Sequence, residues 1–371
     1  HQKVRLTVAI CGVVFASLLM LMQLGLKDSL MESASLVEQN MQGDLFLVDK
    51  RSKALIVSQP FSQRLLQQAL SVPGVESVYP LMAGSATWKN PWTGTSRMIL
   101  ALGVDPERPA LRQADVLAQL PALRAGDYLL FDKTSRPEFG AVTESFEKGE
   151  RVRVRIEDER FRVAGLIHFG SSFAADGNIV VSASAFRRMF PTRAAGGIDI
   201  GGVTLHSGES LADVKQALVQ YLPRNLQVMT REETLDWERD YWGAGTTIGF
   251  IFQQGAVIGF IVGVVIVYQI LYTDVSNHLP EYATLKAIGY SNRYLLGVVF
   301  QSAFFLSVLG YIPGLLLSLV LYGITEQATS IAMRLTLDRA ALVFALTLGM
   351  CFSSGVLAVR KLRQADPAEV F

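Results

Sequence analysis

Four apolar stretches long enough to cross a membrane are spread unevenly along this chain, and their placement constrains the fold more than any other feature. Leu6 to Leu26 carries no charged residue; as a helix it would be about 31 Å long, enough to span a hydrocarbon core. The other three, Ile248–Tyr272, Leu295–Leu321 and Ala340–Val359, crowd the last third. Residues 27–247 are polar and globular in character. The layout predicts a membrane protein with one large water-exposed domain between its first and second spans. A secretory signal peptide is the competing reading of the first stretch, because Lys3 and Arg5 flank it. The run is too long for a signal's apolar region, however, and no small-x-small cleavage site precedes Lys27. The chain opens without Met, so residues upstream of His1 are expected.

Orientation follows from Lys and Arg near the span ends, because positive charge is retained in the cytoplasm. Lys3 and Arg5 flank the first span, Lys286 and Arg293 lie between the second and third, and Arg360, Lys361 and Arg363 follow the fourth. Arg334 and Arg339, between spans three and four, oppose this weakly, accompanied as they are by Glu326 and Asp338. Both termini cytoplasmic and the large domain outside is the consistent arrangement.

Half the residues are hydrophobic, yet Lys and Arg number 34 against 33 Asp and Glu, so there is no electrostatic case for nucleic acid. The two cysteines, Cys11 and Cys351, both fall in expected spans. The outer domain therefore folds without disulfides, and a zinc or redox role lacks ligands. His1, His168, His206 and His278 are scattered without metal-ligand spacing. Ser135, Ser171 and Ser172 have no adjacent base and no nucleophile-elbow context. No phosphate-binding G-x-x-x-x-G-K-S/T loop is present. A catalytic site, a bound cofactor and a metal are thus not expected on this chain.

Within the outer domain, Leu26, Leu30, Ala34, Val37 and Met41 recur at helical steps, so the first span should continue as a stalk helix over 27–43. Strands are expected at Asp44–Val48, Val75–Tyr79, Ser85–Lys89 and Arg97–Val104, with a helix at Ser62–Leu70 stopped by Pro73-Gly74. A second strand-helix-strand unit reads at Gly202–Leu205, Leu211–Tyr221 and Leu226–Met229. The two units would pair into one split α+β layer over 44–229, with a β-rich insert at about residues 105–200. The clearest insert element is a hairpin in which Val152, Val154 and Ile156 alternate with Arg151, Arg153 and Arg155, turning at Glu157 to Glu159. That arginine face, with Arg160 and Arg162 opposite, is a candidate contact for an acidic adaptor surface or lipid headgroups; a solvated face is the plainer reading. Thr230 with Glu233 fits a capping box opening a second stalk over 230–246.

In the spans, Gly255, Gly259 and Gly263 stand at four-residue intervals and should let another helix approach closely, within the chain or across a dimer. Gly310 and Gly314 repeat the spacing beside Pro313. Gln23, Gln253 and Gln254 are strong hydrogen-bonding side chains within these stretches. No Asp, Glu, Lys or Arg lies in mid-span, so a proton relay lacks its parts. Between spans two and three, residues 279–289 read as a short capped helix, with Pro280 in its first turn, Glu281 at its positive end and Gly289 at C′.

The segment Glu281-Tyr282-Ala283-Thr284-Leu285-Lys286-Ala287-Ile288-Gly289 resembles the E-x-x-x-L-K/R-A-I/L-G signature of MacB/FtsX-type ABC transporter permeases, and Asp366-Pro367-Ala368-Glu369-Val370 resembles their D-P-x-E-A/V ending. The opening span, the loop from Asp132 to Gly140 and the stretch from Leu279 to Gly289 are most similar to the DevC branch. The resemblance covers essentially the whole chain. It implies four transmembrane helices plus a large periplasmic α+β domain, a split porter-like layer with an inserted β-rich subdomain, in the bacterial inner membrane. It further implies a homodimer whose copies each bind a separate ABC ATPase subunit through Glu281, Thr284, Leu285, Lys286, Ala287, Ile288, Gly289 and Tyr290. ATP and Mg would sit on that subunit. A periplasmic membrane-fusion adaptor and a TolC-like outer-membrane duct would complete a mechanically driven exporter in contact with membrane lipids. Two other roles stay open: an FtsX-like signalling permease controlling a cell-wall hydrolase, and a LolC/LolE-like lipoprotein-releasing permease.

Overall fold

The computed structural model describes residues 2–170, 172–278, 288, 292–329 and 331–363. These divide into two compact units, one of residues 1–29 with 247–371 and one of residues 30–246. Helix α1 (Gln2–Ala34) contributes to both.

After α1 come α2 (Leu36–Gln39), β1 (Leu45–Asp49), β2 (Phe61–Ser62), α3 (Gln63–Gln68), β3 (Val75–Lys89) and β4 (Ser96–Val104). There follow α4 (Ala114–Gln119), β5 (Tyr128–Asp132), α5 (Val142–Glu147), β6 (Arg153–Ile156), β7 (Glu159–Ile167), β8 (Asn178–Ser182) and α6 (Ala183–Met189). The domain closes with β9 (Gly197–Ile198), β10 (Ile200–Leu205), α7 (Leu211–Tyr221), β11 (Leu226–Thr230) and α8 (Arg231–Gly243).

Nine strands form one sheet in the order β11-β1-β10-β3-β4-β8-β5-β7-β6. The expected insert supplies β5 to β8, which hydrogen-bond into that same sheet. Where two strands were expected over 75–89, β3 is a single strand that changes partner at Leu81, pairing with β10 before it and with β4 from it onward. Pro80 sits at this exchange. Leu81 O faces β10 and accepts from Asp199 N at 2.9 Å, so the alternation of a strand turns Pro80 toward the side that β4 reaches only at Leu81. Its missing N–H therefore removes no ladder bond.

The sheet also curls on itself, because β6 returns to β3 with Trp88 opposite Ile156 and Lys89 opposite Arg155. The strands β3, β4, β8, β5, β7 and β6 thus make a closed circuit, joined at the β6–β3 seam over two residue pairs. Glu157, a non-glycine residue with a left-handed backbone (φ 51°) at the β6–β7 turn, helps hold the seam. Its N–H donates to Thr87 O at 2.9 Å and its carboxylate accepts from Thr87 N at 2.6 Å. Inside the closure Trp88 is fully buried, 5.3 Å from Phe131 and edge-on to Phe139 at 5.9 Å between ring centroids, with its indole N–H donating to Phe139 O at 3.1 Å. The fully buried indole is satisfied on both its apolar and its polar side.

The other unit contains the first part of α1 together with α9 (Thr247–Asn277), α10 (Asn292–Thr329) and α11 (Leu337–Arg363). Four helices, over Leu6–Ala34, Thr247–Asn277, Gly297–Thr329 and Leu337–Val359, are long and apolar enough to cross a membrane. Their shared core is built from small and medium side chains, including Ala9, Val13, Ala16, Ala303, Cys351 and Ala358.

Candidate functional site: the junction of the two stalk helices

Within the large domain, the end of α1 with α2 runs against α8 in opposite directions. Three levels of contact fix their register. At the first, Gly243 lies beside Met31, where an added Cβ would sit in ordinary contact, 3.4 Å from Met31 Sδ. Near it, Phe173 bridges both helices: its N–H donates to Ser33 Oγ at 3.1 Å and its ring meets Trp242 edge-on at 5.3 Å.

At the second level two carboxyls face one apolar seam. Glu38 and Glu238 are each 1% exposed. Glu238 accepts from Leu55 N and from the Trp242 indole N–H, both at 2.8 Å. Neither Glu38 oxygen receives a hydrogen bond from the described residues. Burial, then the charge of Glu238, push the Glu38 carboxyl well above the usual range. Glu238 is pushed up to about 7, chiefly by burial and against the pull of its donors. Two acids sharing a dry site cannot both ionise cheaply, so the arrangement suits a protonated Glu38 whose proton faces the Glu238 carboxylate.

At the third level Arg231, the first residue of α8, reaches back under α2. Its guanidinium donates to the carbonyls of Glu38 (3.3 Å), Met41 (3.0 Å) and Gly43 (2.6 Å), and lies 5.2 Å over the Phe46 ring. Burial and the nearby Arg112 hold its pKa below the ordinary arginine value. The start of α8 is itself fixed by the expected capping box: Glu233 N donates to Thr230 Oγ1 at 3.2 Å and Thr230 N to Glu233 Oε2 at 2.8 Å. Lys215 on α7 meets Glu233 at 2.6 Å, and that ammonium, with the cap, draws the Glu233 pKa down.

The stalk expected over 27–43 is not one uninterrupted helix. It breaks at Ser35, whose hydroxyl donates to Glu32 O at 3.0 Å, and Gln39 spans the break by donating to Ser35 Oγ at 3.1 Å. A serine hydroxyl that satisfies a local carbonyl competes with the helical ladder, which accounts for the interruption.

The glycine ridge lies against α1 of the same chain. A Cβ on Gly255 would come within 2.6 Å of Gln23, on Gly259 within 3.1 Å of Leu19, and on Gly263 within 2.7 Å of Ala16. On α10, Gly310 faces Val13 and Gly314 faces Ser17, so both glycine faces close on the first span. Arg339, which counts against the expected orientation, is 7% exposed and paired with Asp28 of α1 at 2.8 Å. Arg153 and Arg155 project outward from β6 and Arg151 is exposed just before it. Of the expected ATPase-coupling residues, Ile288 is 71% exposed. Glu281, Thr284, Leu285, Lys286, Ala287, Gly289 and Tyr290 lie outside the described residues, as does the ending Asp366–Val370. Among the described residues no group of three or more His, Cys, Asp or Glu is placed to hold a metal ion.

Sequence reasoning missed the Glu38–Glu238 pair and Arg231. A local signal existed for Glu38, which stands four residues after Ala34 on the apolar stripe of the stalk, where a carboxylate is out of place.

Comparison with known proteins places this geometry in context. Residues 6–221 match the family described as the MacB-like periplasmic core domain, and residues 255–367 match the FtsX-like permease C-terminal family. An uncharacterized ABC transporter permease of Mycobacterium tuberculosis is 25% identical over 380 residues, covering all of this chain and 96% of its own length. A second from the same species is 23% identical over 375 residues, covering all of this chain and 95% of its own. Among solved structures, the periplasmic region of MacB from Actinobacillus actinomycetemcomitans aligns with a TM-score of 0.37 at 10% identity, over 53% of this chain and 92% of that one. With a MacB-like core domain set between its first and second candidate spans and an FtsX-like C-terminal region after it, this chain belongs to the MacB/FtsX-type superfamily of ABC transporter permeases.

Proposed function

We propose that the chain is the non-catalytic permease subunit of a tripartite ABC exporter of the DevC kind. It converts ATP hydrolysis on a separate ATPase subunit into movement of its periplasmic domain. The observation that carries this reading is the three-level clamp between α1/α2 and α8: two helices that lead directly toward spans are locked to one another and to one rigid sheet. A rigid pair of levers transmits displacement, where flexible linkers would absorb it.

In this reading two copies form a homodimer with both termini in the cytoplasm, and each copy engages an ATPase carrying ATP and Mg through residues 279–289. The outer domain docks a membrane-fusion adaptor leading to a TolC-like duct, and cargo does not pass through the spans. Because the glycine ridge is filled by α1, the second copy would meet another face. On α9 the exposed residues Phe250, Ile251, Val257, Ile258, Ile261 and Val265 offer an apolar surface to lipid or to that copy.

Co-purification of the tagged chain from detergent, with mass determination of its companions and an ATPase assay, tests the reading. An ATPase and an adaptor, with two copies of this chain, is the expected assembly. A cell-wall hydrolase or a lipoprotein in place of the adaptor would move the function to the FtsX-like or LolC/LolE-like role.

A further inference from the structure

The β6–β7 hairpin closes the strand circuit with an unusual surface. In register, Arg153 stands opposite Arg162, and Arg155 opposite Arg160, while Lys89 of β3 stands opposite Arg155 on its other side. Directly opposed residues share a face, so Lys89, Arg155 and Arg160 form one row across three strands and Arg153 with Arg162 the next. The alternate residues Val154, Ile156, Phe161 and Val163 are buried, which turns both cationic rows outward.

Like charges directly opposite one another destabilise a sheet by a few tenths of a kcal/mol or more. Little nearby offsets them. Asp158 pairs with Arg155 at 2.8 Å, and the Arg162 guanidinium lies 5.9 Å from the Tyr128 ring centroid. Lys89, Arg153 and Arg160 have no carboxylate partner among the described residues. In a chain with nearly equal numbers of acids and bases this is a pronounced local excess.

The surface is also concave. The β3–β4 turn borders it on one side, leaving an open cleft of about 570 Å³ lined by these five cations and one acid, Asp127. That volume falls within the range of small-molecule sites. Its wall is fixed in shape: Asn90 Oδ1 accepts from Trp92 N (2.9 Å) and Thr93 N (3.1 Å), while its amide donates to Glu138 O at 2.9 Å. The floor rests on buried Trp88 and Phe161.

We propose that this cleft is a binding site for a phosphoryl group, carried by a lipid headgroup or by a free organophosphate. Arginine forks match the oxygens of phosphate bidentately, and a phosphate monoester presents three acceptors that several converging forks can share. A walled cleft suits such a compact anion better than it suits the broad face of an acidic protein. The assignment stands on this surface alone and does not depend on the exporter reading.

The test is isothermal titration of the full-length chain in neutral detergent with inorganic phosphate, glycerol 1-phosphate, dihexanoyl phosphatidic acid and polyglutamate. Saturable binding of a phosphorylated probe is expected. It should weaken about tenfold or more in the Arg153→Gln/Arg160→Gln double variant and stay unchanged in Arg64→Gln/Arg224→Gln, two exposed arginines elsewhere on the domain. Binding of phosphatidic acid alone would identify a lipid headgroup; equal binding of glycerol 1-phosphate would identify a free solute. Relief of repulsion should leave the double variant melting no lower than the parent. The proposal is overturned if no phosphorylated probe saturates, if the control variant loses as much, if polyglutamate binds tighter than every phosphorylated probe, or if the double variant melts lower as it loses binding.

Discussion

Glu38 and Glu238, two hundred positions apart and one on each stalk helix, share a single dry seam in which Glu238 has two donors and Glu38 has none among the described residues. The pair makes the junction sensitive to protons. Glu238 has a folded pKa of about 7, above the ordinary value of 4.5, so the folded state binds its proton more tightly than the unfolded chain does. Stability is then fully present below the ordinary carboxyl range and is lost as pH rises through about 7. For Glu238 alone the loss is about 3 kcal/mol, and Glu38, also raised by burial, adds to it. Glu238→Gln should remove its share of this dependence and leave the share that burial gives Glu38, whereas the Glu38→Gln/Glu238→Gln double variant should flatten it. Thermal unfolding of the detergent-solubilised chain between pH 5 and 8 measures it, and a flat profile in the parent would remove the shared-proton account.

Arg231 donates to three carbonyls at the end of the first stalk, and among the described residues no other side chain donates to them. Its substitution by Met should destabilise the domain by about 2–4 kcal/mol, since buried acceptors lose their donor. Arg231→Lys should recover little, because an ammonium lacks the planar fork that reaches Glu38, Met41 and Gly43 together. Denaturant unfolding followed by tryptophan fluorescence compares the three chains.

Gly263 faces Ala16 and Met350, so Gly263→Leu should disturb packing of the spans within one copy. Overpacking of this kind costs about 1–3 kcal/mol or more. The melting temperature in detergent should fall, while the subunit stoichiometry of the surviving protein, read by native mass spectrometry, stays the same. A change in subunit stoichiometry without a fall in melting temperature would instead place the ridge at a subunit interface.

How much of this was legible in the sequence depended on whether the signal was local. The spans, the limits of α7, the hairpin alternation and the capping box at Thr230 rest on residues within a few positions of one another. Each has a period or a cap that identifies it. The single strand through Pro80 was hidden because a proline reads as a break unless its neighbours are known. Closure of β6 onto β3 pairs Trp88 with Ile156, and the carboxyl seam joins Glu38 to Glu238. Such contacts are set by the path of the sheet and leave no periodic trace. The Ser35 break lies between the two: its hydroxyl bond to Glu32 O is local, yet the apolar stripe from Leu30 to Met41 has a helical period that predicts continuity.

In the proposed exporter the paired stalks act as levers. The most direct test of that role is a Gly-Gly insertion after Ala34 or after Trp237, made in the assembly with its ATPase, with hydrolysis and export measured side by side. Inside α8 the glycines lower helix stiffness and stability, by about 1 kcal/mol each relative to Ala, and after Ala34 they add free backbone at the Ser35 break. Hydrolysis that continues while export stops is the predicted result. Export at the parental rate through a softened stalk would contradict the account.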